Sequence, residues 1–93
     1  MKVTIEVTQA DIDAGTPGLG CMCPVALAVH RALPHLPDAY IYSYGVAEDS
    51  RTAHFADLPR AARDFISTFD GGDDVAPLSF DLDVPDDLMA VTP

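Results

Sequence analysis

Lys2-Val3-Thr4-Ile5-Glu6-Val7-Thr8 is the stretch on which the fold turns. Val3, Ile5 and Val7 alternate with Lys2, Thr4, Glu6 and Thr8, and a period of two with one apolar side specifies a half-buried β-strand. A second stretch of the same kind lies far along the chain. Leu78, Phe80, Leu82 and Val84 alternate with Ser79, Asp81 and Asp83, and Pro85 ends the run. The apolar sides of these two strands must lie under the same helices. Their opposite sides then carry Thr4, Glu6, Ser79, Asp81 and Asp83 on an open face.

The segments between them supply those helices. Thr8 and Asp11 have the spacing of a capping box, so a helical turn is expected over Gln9 to Ala14, stopping at Gly15. Gly15-Thr-Pro-Gly-Leu-Gly20 is a loop. Pro24 suits the first position of a helix capped by Cys23 and running from Val25 to Leu33, where Pro34 breaks it. Val25, Ala28, Val29, Ala32 and Leu33 form its apolar stripe. Leu27 falls outside that stripe, between His30 and Arg31, and is either covered by the 15–23 loop or presented to a partner. A second helix follows from Leu58, Ala62, Phe65, Ile66 and Phe69, with Asp57 and Pro59 at its start and Gly71-Gly72 at its end.

Tyr40 to Val46 is expected as one strand, paired as a hairpin with Thr52 to Phe55 across the turn Glu48-Asp49-Ser50. The order is then β-α-β-β-α-β, a ferredoxin-like α+β fold. It has a four-stranded antiparallel sheet and two helices on one face. Right-handed crossovers predict strand order 4-1-3-2. Residues 1–85 make a single domain, and 86–93 are expected as a flexible tail. Two arrangements of the 40–46 strand remain open. Either Ile41 points inward and Tyr40, Tyr42 and Tyr44 stand on the open face beside Thr52 and His54, or the tyrosines enter the core.

The charge is unevenly placed. Of 15 acidic and 5 basic residues, residues 64–93 hold eight aspartates and no Lys or Arg. The net charge of −10 repels nucleic-acid phosphates and attracts basic surfaces, so direct nucleic-acid binding is not expected. No apolar run approaches the roughly 20 residues that cross a bilayer. Met1-Lys2-Val3 leads into a strand rather than an apolar signal core, which predicts a cytoplasmic protein.

Few residues carry a recognisable chemistry. Cys21 and Cys23 are too few for a disulfide framework. Standing at a helix start, where the dipole lowers a thiol pKa, they could be redox-active or bind metal with His30 or His35. Zinc needs four ligands, and no second cysteine pair is present, so ordinary reduced thiols are the preferred reading. Gly15, Gly18 and Gly20 lack the Lys-Ser/Thr pair of a phosphate loop, and Asp70 to Asp74 lack the spacing of a calcium loop. His54 with Glu6 or Asp81 is the one acid/base pair the open face would offer. No cofactor is expected.

Asp11-Ile12-x-x-Gly15, Cys23-Pro-Val-Ala-Leu-Ala28-x-x-Arg31, Leu58-Pro-x-x-Ala-x-x-Phe65-x-x-x-Phe69-Asp-x-Gly72 and Pro77-x-x-Phe80 together span most of the chain. In these motifs the chain resembles a group of small uncharacterised proteins of actinobacteriophages and their hosts. The resemblance implies a phage accessory protein of the infected or host bacterial cell, and it transfers no functional residue.

The expected function is a non-enzymatic protein-binding module acting on a host or defence protein, in its sharpest form as a nucleic-acid mimic. Its partner-binding residues would be Tyr40, Tyr42, Tyr44, His54, Asp81, Asp83 and Leu27. The partner would be a protein with a basic surface, with neither nucleic acid nor membrane bound directly. A small enzyme or ligand-binding domain using the open face or the Cys21/Cys23 loop is the alternative. A virion or homo-oligomeric structural component is a third.

Overall fold

The computed structural model describes residues 1–89. It is a mixed α+β structure of four helices and two antiparallel sheets. The order is β1 (Lys2–Val7), α1 (Gln9–Ala14), α2 (Pro24–Ala32), β2 (Tyr40–Ile41), β3 (Gly45–Ala47), β4 (His54–Asp57), α3 (Arg60–Asp70), β5 (Leu78–Asp83) and α4 (Asp86–Met89).

Strands β1 and β5 pair along their whole length, from Lys2 opposite Asp83 to Val7 opposite Leu78. The alternation in both sequences is realised: Ile5, Val7, Phe80, Leu82 and Val84 are buried, while Thr4, Glu6, Asp81 and Asp83 are exposed. Helix α2 packs on β1 and α3 on β5. The core between them holds Val25, Ala28, Val29, Leu33, Ala62, Phe65 and Ile66. Helix α1 starts at the expected capping box, with the Thr8 side chain accepting from the Asp11 amide and the Asp11 carboxylate accepting from the Thr8 amide.

The single sheet of order 4-1-3-2 is not what the strands form. Strands β2, β3 and β4 make a separate three-stranded meander, and β4 comes close to β5 rather than to β1. The expected strand from Tyr40 to Val46 is itself broken in two. The Tyr42 amide donates to the Gly45 carbonyl at 2.8 Å, which reverses the chain at Ser43-Tyr44 and folds β3 back on β2. The Ile41 amide is drawn instead to the Gly20 carbonyl at 2.7 Å, so β2 is anchored on the 15–23 loop. With ladders this short, the meander lacks the length to continue the β1–β5 pair. The returning strand also begins at His54, two residues later than its composition suggested, after an irregularity at Val46/Ala47. Of the 86–93 tail, 86–89 form a helical turn whose Leu88 and Met89 pack against the core, and the rest lies outside the described residues.

Among the described residues one polar residue is buried with the apolar ones, Asp11. Arg31 of α2 grips it in a two-pronged contact, with Nη1 and Nη2 each donating at 2.8 Å, and Nη2 also donates to the Glu6 carbonyl at 2.8 Å. Three consecutive elements are thereby tied at one point. The Arg31 hydrogen bonds hold the Asp11 carboxyl down to about 2, against the opposing effect of its burial.

Two stability measurements check this core. Phe65→Ala should cost about 3–5 kcal/mol in denaturant unfolding, because it empties the centre of the α3 stripe. A loss below about 1 kcal/mol, the range of surface substitutions, would show that this face is not the packed one. Asp11 should contribute about 2 kcal/mol, a value that follows from its lowered pKa. Because its folded pKa lies below the unfolded one, that contribution is complete above about pH 4 and is lost as the pH falls from 4 toward 2. Asp11→Asn should therefore differ most from the parent near neutrality and least at pH 2.

Candidate functional site

The tyrosines stand on the outer side of the β2–β3 turn, while Ile41 and Val46 enter the core. Their rings form a continuous series. Tyr40 and Tyr42 have centroids 5.0 Å apart at 54°, Tyr42 and Tyr44 are stacked at 5.7 Å and 12°, and Tyr44 meets His54 edge-on at 5.1 Å. Tyr44 is half-exposed, and the Tyr42 hydroxyl donates to the Ser50 carbonyl at 3.1 Å. Two glycines let the series close up. A Cβ at Gly45 would come within 2.7 Å of both the Ala56 carbonyl and the His54 ring, and one at Gly20 would run into the Tyr40 ring.

Between that ring series and the 15–23 loop lies a cleft of about 220 Å³, lined by Leu19, Gly20, Tyr40, Tyr42, Ile66 and Asp70 among others. The Asp70 carboxylate accepts from the Gly18 amide at 3.0 Å and so holds the loop against the end of α3.

The remaining expected site residues lie elsewhere. Asp81 and Asp83 are on β5, in the other sheet. Asp81 accepts from the Thr4 hydroxyl at 3.0 Å, and Asp83 lies 3.6 Å from the Met1 amino group. Leu27 is half-buried on α2. Aromatic and acidic residues thus occupy two sheets rather than two halves of one face. The expected pairing of His54 with Glu6 or Asp81 is replaced by a local one, because the His54 ring lies 2.9 Å from the Asp57 carboxylate, three residues on. That pair is exposed.

The two cysteines differ sharply. Cys21 is exposed, whereas Cys23 is buried with its sulfur accepting from the Ala26 amide at 3.4 Å. Burial raises the Cys23 thiol pKa above its ordinary value and outweighs the hydrogen bonds from the helix start, so the expected lowering by the dipole does not occur. His30 and His35 are each engaged by a backbone carbonyl, of Ala39 and Leu88 respectively. Among the described residues no three His, Cys, Asp or Glu side chains are grouped to hold a metal ion. No described helix is long and apolar enough to cross a membrane.

Sequence reasoning misses the cleft, because the turn that forms one wall has the composition of a straight strand. The available signal was Ser43 and Gly45 inside the tyrosine run, both common in turns.

No family model, curated protein or solved structure matches this chain.

The cysteine environments predict a simple titration. In the folded protein one thiol per chain should react rapidly with a thiol-specific reagent and the other only after denaturation, since the thiolate is the reactive form and Cys23 is held neutral and covered. Mass mapping should place the fast label on Cys21.

Proposed function

We propose that this protein is a small acidic protein-binding module, non-enzymatic, which engages a protein with a basic surface. The observation that carries the reading is the outward-facing ring series Tyr40–Tyr42–Tyr44–His54 on a chain of net charge −10. Tyrosine combines a large rigid contact area with a polar tip, which makes it a frequent anchor of protein interfaces. The aspartates of β5, α4 and the 70–74 turn supply a long-range field that draws in a basic partner and turns away nucleic acid. In this reading the tyrosines hold the partner and the acids steer it.

The resemblance to proteins of actinobacteriophages and their hosts gives the proposal its biological form. It is a phage accessory protein in the infected cell that occupies a nucleic-acid-binding groove of a host or defence protein. A second reading, a small-ligand binder, draws on the 220 Å³ cleft beside Tyr40 and Tyr42.

The test begins with affinity capture from the natural host, followed by binding kinetics with the captured protein. Affinity should fall steeply between 0.1 M and 1 M salt, as the Debye length shrinks from about 10 Å to about 3 Å. Asp81→Asn with Asp83→Asn should slow association several-fold and leave stability nearly unchanged. Tyr44→Ala should instead speed dissociation tenfold or more. Binding that ignores salt and both sets of substitutions would remove the proposal. A small molecule retained by the wild type and lost in Tyr40→Leu would favour the second reading.

A further inference from the structure

Strand β1 is an edge strand. Its hydrogen-bond parity shows which backbone groups are left over. Met1 and Val84 exchange both of their backbone hydrogen bonds, at 2.8 and 2.9 Å. In an antiparallel pair such exchanging positions alternate with non-exchanging ones. Val3, Ile5 and Val7 therefore point their amides and carbonyls at β5, and Lys2, Thr4 and Glu6 point theirs away from it. Among the described residues, the one group that reaches this outer row is the Arg31 guanidinium, on the Glu6 carbonyl. A carbonyl oxygen has a second lone pair, so that contact does not exhaust Glu6. The outer amides of Lys2 and Thr4 donate no hydrogen bond, and their outer carbonyls accept none, elsewhere among the described residues.

An open row of this kind is a template for another strand. The occupant is indicated by the side chains between those groups. Placed antiparallel to itself about Thr4, the strand sets the outward-pointing groups of Lys2 opposite those of Glu6 in the second copy. Thr4 then meets Thr4, and Glu6 meets Lys2. Those are the positions whose backbones are free to exchange hydrogen bonds, so register and parity agree. On the exposed face each Lys2 lies beside a Glu6 of opposite charge, the favourable cross-strand arrangement. On the helix-covered face the half-buried Val3 meets Ile5 of the other copy. Leu27, half-exposed, precedes Arg31 by four residues and shares its side of α2.

We propose that two copies of this chain associate through their β1 edges, antiparallel about Thr4, into a continuous four-stranded β5-β1-β1-β5 sheet. The contact is isologous, as a two-fold dimer requires. It does not depend on the partner-binding reading, because the tyrosine series lies in the other sheet. A contact built on one strand pair is smaller than the roughly 1,000 Å² of a permanent interface, so the dimer is a concentration-dependent one.

Sedimentation of the full chain from about 10 µM to about 1 mM should show the mass rising from one chain toward two. Lys2→Glu and Glu6→Lys should each associate at least tenfold more weakly than wild type, because like charges then face each other across the edge. An equimolar mixture of these two variants should form a heterodimer stronger than either alone, and the doubly swapped variant should return toward wild type. Thr4→Pro removes the central outward amide without touching the β1–β5 ladder, and should abolish association while cooperative unfolding is retained. A wild type that stays monomeric throughout, or charge variants that associate like wild type with no preference in the mixture, would overturn the proposal.

Discussion

Pairing of β1 with β5 joins side chains as far apart in sequence as Thr4 and Asp81, separated by 77 residues. Closing so long a loop is entropically costly, and local contacts cannot offset it alone. What offsets it is the shared apolar face, where Ile5, Val7, Phe80, Leu82 and Val84 lie together under α2 and α3. A shift of one residue in the register would turn that whole face to solvent. The ladder and the helix layer therefore stabilise each other. The meander of β2, β3 and β4 is added beside this ribbon, and its ladders are too short to stand without it.

The Asp11–Arg31–Glu6 contact shows how a charged group can strengthen such a small core. Asp11 is nearly covered, yet its carboxylate accepts from two guanidinium nitrogens and the Thr8 amide, while the Thr8 hydroxyl accepts from the Asp11 amide. Arg31 keeps half of its side chain in water, so only one member of the pair bears a full desolvation cost. The same arginine occupies one carbonyl on the outer edge of β1. It ties that edge to the helix layer.

Features governed by neighbours within a few residues were legible in the sequence. The Thr8/Asp11 box, Pro24 behind a Cys23 cap, the α3 stripe and both long strands all rest on spacing of two to four positions. The tyrosine run was harder to read, because Tyr-Ile-Tyr-Ser-Tyr suits an extended strand on propensity alone. Its reversal depends on a turn bond from Tyr42 to Gly45 and on the attachment of Ile41 to Gly20, a residue from a different loop. The cleft between that loop and the rings is a product of the same attachment. Sheet order escaped for a related reason. It is decided by whether β4 settles against β1 or β5, and no periodicity encodes that choice. The separation of acids from aromatics follows directly from it, since the two groups sit on different sheets.

The ring series has an optical consequence. The chain contains no tryptophan, and its three tyrosines are Tyr40, Tyr42 and Tyr44. The strongest near-ultraviolet chromophores in the molecule are therefore confined to one hairpin, with successive rings less than 6 Å apart. Absorption and emission in that region report on this hairpin rather than on the domain as a whole. The helices, which dominate far-ultraviolet dichroism, report on the other half of the structure. The protein thus carries two built-in and spatially separate signals. Their agreement or disagreement during unfolding measures whether the meander and the β1–β5 ribbon melt as one cooperative unit.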